Sequence, residues 1–127
     1  MKIAINDHRK IFAIQEEFNN LFPYLKLEFF AKPHTKGGPS PKTFIKHSSE
    51  TLGECRTTHE SGDLSINPEM TVSDLEQRFA DAYGLSVQVF RKSGKSWLET
   101  TVTDNWTLEE QNKQGEDLSN TKTEGRA

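Results

Sequence analysis

Ile66 to Phe90, INPEMTVSDLEQRFADAYGLSVQVF, is the stretch whose reading decides the fold, because Ile5 to Phe30, INDHRKIFAIQEEFNNLFPYLKLEFF, is a degenerate copy of it. At an offset of 61, Ile3, Ile5, Asn6, Ile11, Ile14, Phe18 and Phe22 fall on Leu64, Ile66, Asn67, Val72, Leu75, Phe79 and Tyr83. With one residue dropped near Tyr24, Leu25, Leu27, Phe29, Phe30 and Lys32 fall on Leu85, Val87, Val89, Phe90 and Lys92. The matches keep helical spacing and then strand spacing, so each stretch reads as a strand-helix-strand unit.

In the first unit Ile3 and Ile5 face a core, Asn6 or Asp7 caps a helix, and Ile11, Ile14, Phe18, Leu21 and Phe22 form its apolar stripe until Pro23 stops it. In the second, Thr71 with Asp74 makes a capping box, Val72, Leu75, Phe79, Ala82 and Tyr83 repeat the stripe, and Gly84 ends the helix. Cys55 to Ile66 reads as a hairpin turning at Gly62, and Trp97 to Val102 as a strand returning after the Lys92 to Lys95 turn. Thr107 with Glu110 opens a short helix from Leu108 to about Gln114, closed by Gly115.

The expected fold is therefore α+β. Two repeated units, 1–31 and 62–92, form one ferredoxin-like mixed sheet with helices on one face, extended by the C-terminal hairpin strand and short helix. The loop 32–50 joins the units, the single domain covers 1–116, and 117–127 is a disordered tail. An alternative is a β-grasp-like C-terminal half over residues 54–114, which leaves the N-terminal copy unexplained. Thr51-Leu52-Gly53-Glu54-Cys55-Arg56 and Trp106-Thr107-Leu108-Glu109-Glu110-Gln111-Asn112 resemble a small family of uncharacterised bacterial proteins, and that resemblance implies no activity.

Composition narrows the function classes. The chain has 127 residues and a net charge of −3, all of it supplied by residues 104–127 with six acids against three bases. A body balanced at zero argues against a dedicated DNA binder. No run approaches the roughly 18 apolar residues of a membrane span, and the single Cys55 suits a reducing compartment, so the expected location is cytoplasmic.

Candidate chemistry is sparse. Gly94-Lys95-Ser96 lacks the first glycine of a phosphate loop, since Val89 stands there, and sits in a hairpin turn. His47, Cys55 and His59 offer soft-metal ligands, but His34, Glu54 or Glu60 would have to complete the set, so loop histidines and a buried thiol are the reading. Adjacent carboxylates such as Glu16-Glu17 diverge on a helix, and no nucleophile elbow is present. The expectation is no enzyme, no metal and no cofactor.

What remains is a surface. With Leu25, Leu27 and Phe29 in the core, Phe30 lies on the opposite sheet face, and Phe90 repeats the arrangement. Either the chain roofs this face with Phe44, Ile45, Leu52, Trp106 and Leu108, or a partner meets it. The candidate partner-binding residues are Phe30, Phe90, Trp97, Lys32, Lys92 and Lys95, and the expected function is a non-enzymatic protein-interaction or scaffolding module. The alternative is weak single-stranded nucleic-acid binding through Lys32, Lys36, Lys42, Lys46, Arg91, Lys92 and Lys95. Oligomeric state is not legible.

Overall fold

The computed structural model describes residues 1–30 and 49–124. In chain order they form β1 (Lys2–Ile5), α1 (Ile11–Leu21), β2 (Leu25–Phe30), a 3-10 turn (Leu52–Cys55), β3 (Gly62–Ser65), α2 (Val72–Tyr83), β4 (Ser86–Ser93), β5 (Ser96–Glu99) and α3 (Leu108–Glu124). The expected readings of Lys32, His34, Phe44, Ile45, His47 and the basic loop lie outside the described residues. No helix among the described residues is long and apolar enough to cross a membrane.

The apolar stripes fold as their spacing dictates. Ile11, Ile14 and Phe18 are buried on α1, and Val72, Leu75, Phe79 and Tyr83 on α2. Phe18 and Phe79 are both fully buried, and Phe29 of the first unit meets the Phe79 ring of the second edge-on at 6.0 Å. Thr71 Oγ1 accepts from the Asp74 amide at 3.0 Å to start α2, and Gly84 ends it in the left-handed conformation at φ 63°.

The strands pair differently from the expectation. In place of one mixed sheet there are two antiparallel sheets, β1-β3 and β2-β4-β5. Ile3 pairs with Leu64, its counterpart at offset 61, and Glu28 with Gln88, its counterpart at 60. A residue opposite its own counterpart is what a twofold axis between two units produces, and a twofold sets equivalent strands antiparallel. Apolar periodicity says which strand face is buried, and is blind to strand direction.

The helix starts follow the same twofold. The amides of Ile11, Leu52 and Gly53 donate to the carbonyls of Glu50, Arg9 and Asp7, while those of Val72, Leu108 and Glu109 donate to Trp106, Met70 and Pro68. Each unit is thus closed by a Thr-Leu-x-Glu turn, Thr51 to Glu54 in one and Thr107 to Glu110 in the other, with Leu52 and Leu108 fully buried.

Four further expectations are corrected. Neither Asn6 nor Asp7 caps α1: Lys10 precedes it without a side-chain cap, Asn6 Oδ1 accepts from the His8 amide, and the Asp7 carboxylate pairs with Arg56. The hairpin across Cys55 to Ile66 is absent. Leu52–Cys55 is a 3-10 turn and β3 pairs with β1, which also removes the β-grasp-like reading of the C-terminal half. The returning strand stops at Glu99, and Thr103 and Trp106 lie in turns. Finally, α3 runs through Gly115 to Glu124, so residues 117–124 are helical where a tail was expected. Gly115 is a packing residue, since a Cβ there would lie 2.9 Å from the Tyr24 Cβ and 3.2 Å from the Arg91 Cγ.

Two substitutions test this packing by urea unfolding. Phe79→Ala, which removes an aromatic both units touch, should cost about 3–5 kcal/mol. Gly115→Ala should destabilise by about 1–3 kcal/mol through overpacking, although alanine is the better helix former; an unchanged or raised midpoint contradicts the close approach of α3 to Tyr24.

Candidate functional site

Alternation along the β2-β4-β5 sheet places Lys26, Glu28 and Phe30, then Ser86, Gln88, Phe90 and Lys92, then Trp97 and Glu99, on the face away from Leu27 and Val89. Lys26 stands opposite Phe90, Phe90 opposite Glu99, and Lys92 opposite Trp97. The Lys26 ammonium lies 4.9 Å from the centre of the Trp97 ring and 5.8 Å from that of Phe90, and the Lys92 ammonium lies 5.4 Å from Trp97. Two cations are therefore held on one half-buried indole by its quadrupole. Lys26 also pairs with Glu28 at 3.2 Å, whereas Lys92 makes no ion pair among the described residues.

The structure thus brings together Phe90, Trp97 and Lys92. Phe30 shares their face but is only 5% exposed, so it belongs to the buried part of that face, beside the equally buried Gln88. Lys95 is exposed in the Gly94-Lys95 turn, and Lys32 lies outside the described residues. The lysine that sequence reasoning missed is Lys26; strand alternation puts it on the face of Phe30, but its place opposite Phe90 follows only from the antiparallel register of β2 and β4.

The Gly94-Lys95 turn has φ 63° at Gly94 and a negative φ at Lys95, the II′ hairpin pattern, which accounts for the glycine without a phosphate. The Cys55 thiol approaches the Thr51 carbonyl at 3.3 Å, and burial, with Glu50 nearby, pushes its pKa up to about 11. It is a protonated thiol at neutral pH and a poor nucleophile. His59 turns to Asp7 and not to Cys55, and no group of three or more metal-ligating side chains occurs among the described residues.

A second polar cluster was not foreseen. Arg56, its side chain fully buried, donates through Nε (3.1 Å) and Nη2 (2.8 Å) to Oδ1 of Asp7 and through Nη1 (2.8 Å) to the Tyr83 carbonyl. The half-exposed His59 places Nδ1 2.8 Å from Oδ2 of the same carboxylate. The Arg56 guanidinium beside Asp7 holds its carboxyl below the usual range, with His59 adding to the effect and partial burial opposing it. At the equivalent place in the second unit, Asn112 accepts from the Tyr24 amide at 2.8 Å. Arg56 thus ties its segment to the last residue of α2, and Asn112 ties α3 to the residue before β2.

The depressed Asp7 pKa has a definite sign. Its contribution to stability is full above the unfolded value of about 3.9 and is lost as pH falls through the folded value. Asp7→Asn should therefore melt well below the wild type at pH 7, with a gap that narrows on acidification; a gap independent of pH contradicts the ion pair.

No family model matches the chain, and neither the curated proteins nor the solved structures contain a significant match.

Proposed function

We propose that the protein is a non-enzymatic interaction module that binds another protein across the outer face of the β2-β4-β5 sheet, with Trp97 at its centre. The observation that carries this reading is one indole contacted by two lysines: Lys26 and Lys92 both lie over Trp97, on a sheet face that also holds Phe90. Partly buried tryptophans are among the residues that supply most binding energy at protein interfaces. Nucleic acid is the less favoured ligand, because a stacking base would have to displace the ammonium groups that already sit on the ring.

Binding without catalysis is supported by the state of the polar groups. Cys55 is held as a thiol, and both oxygens of Asp7 are engaged by Arg56 and His59. The lone cysteine in its thiol form suits a cytoplasmic home. The recurrence of the same closing hydrogen bonds in both units supports reading them as copies of one ancestral unit.

The test is capture from a native lysate by wild type, Trp97→Ala and Phe12→Ala. Phe12 is 50% exposed on α1 and serves as a control of similar size. A protein retained by the wild type and by Phe12→Ala, and lost with Trp97→Ala, is the expected result. Capture that survives Trp97→Ala, or that a nuclease abolishes, contradicts the proposal.

A further inference from the structure

Beyond its face, the β2-β4-β5 sheet has two edges, and the chain treats them differently. At the β2 edge, α1 occupies the outward carbonyls: Asn19 Nδ2 donates to Leu25 at 2.9 Å and Gln15 Nε2 to Leu27 at 2.8 Å. That is how a protein blocks strand addition. At the β5 edge, the ladder to β4 runs through alternate residues. The Thr100 amide donates to Val89, so Ser96 and Leu98 turn their backbone groups inward as well. Trp97 and Glu99 then direct N–H and C=O to the open side, where no backbone partner is present among the described residues.

The two residues with outward backbone groups are also the two with side chains on the outer face. A chain laid along this edge would bond to Trp97 and Glu99 and bring its own alternate side chains beside the Trp97 indole and the Glu99 carboxylate. Of the two cations at the Trp97 end, Lys26 is paired with Glu28, whereas Lys92 has no acid of its own among the described residues. At the other end the Glu99 carboxylate repels a second acid.

The geometry points to strand addition at β5 by an extended segment of a partner protein, carrying an acid opposite Trp97 and a neutral or basic residue two positions along, opposite Glu99. This deepens the proposed function and rests on its placement of the partner at Trp97. The backbone bonds supply a share of affinity indifferent to sequence, and the Lys92 and Glu99 charges supply the choice of partner.

The experiment uses the full chain, labelled for NMR, and two blocked synthetic hexapeptides. Both alternate valine with threonine; one has a central aspartate on the threonine face and its twin has lysine there. With millimolar aspartate peptide, the amide protons of Trp97 and Glu99 should move downfield while that of Leu98 stays. The lysine twin should bind up to about three-fold more weakly, the scale of solvent-exposed charges two strand spacings apart, and Lys92→Glu should reverse the preference.

Movement of the Trp97 indole without the paired amide shifts overturns strand addition and leaves a partner on the sheet face. No change with either peptide also overturns strand addition, and the Trp97→Ala capture comparison then decides the broader reading. Equal binding of the twins to wild type and Lys92→Glu overturns the acidic partner.

Discussion

The antiparallel pairing of each unit's strands with those of the other is the constraint on which the rest of the structure depends. β1 finds its partner in β3 and β2 in β4, so within the described residues neither strand-helix-strand unit hydrogen-bonds a strand of its own. A lone unit would leave the pairing edges of both its strands open and Phe29 without the Phe79 ring, and a pair of unpaired strands over one helix is not independently stable. Folding must therefore join residues about sixty positions apart, and the loop-closure entropy is offset only when both sheets form.

This crossing explains where the unusual polar residues sit. Each closing segment reaches a backbone group just past or at the end of the other unit's helix. Asn112 does this at the Tyr24 amide with a neutral side chain, so the task does not require charge. Arg56 does it at the Tyr83 carbonyl with a buried guanidinium, which then demands a counterion, and Asp7 supplies one. The depressed Asp7 pKa follows chiefly from that contact, with His59 adding to it.

Much of this was legible in the sequence. The stripe positions Ile11, Ile14 and Phe18 against Val72, Leu75 and Phe79 identified both helices, and strand alternation put Phe90, Trp97 and Lys92 on one face. Strand direction was not legible, because Ile3 and Ile5 bury the same face whichever way β3 runs. The extent of α3 was hidden by Gly115, which by itself reads as a stop; only the nearness of Tyr24 reveals it as a contact. The Asp7, Arg56 and His59 cluster was invisible because it joins residues 49 positions apart through a fold still to be determined. The Thr-Leu-x-Glu turns were readable as a second repeat, at an offset of 56, that extends each unit past its second strand.

The surface follows from the same frame. Since each unit buries one face of its strands against the helices, the outer row of β2, β4 and β5 is set by alternation, and β5, appended beyond the paired units, is left with an edge. Native-state hydrogen exchange most directly tests whether the crossed pairing holds the molecule together. Amides in β1, β2, β3 and β4 should all open with one common free energy, equal to that of global unfolding. Exchange in which residues 2–30 open well below residues 62–93 would mean that one unit stands without the other, and the account would fail.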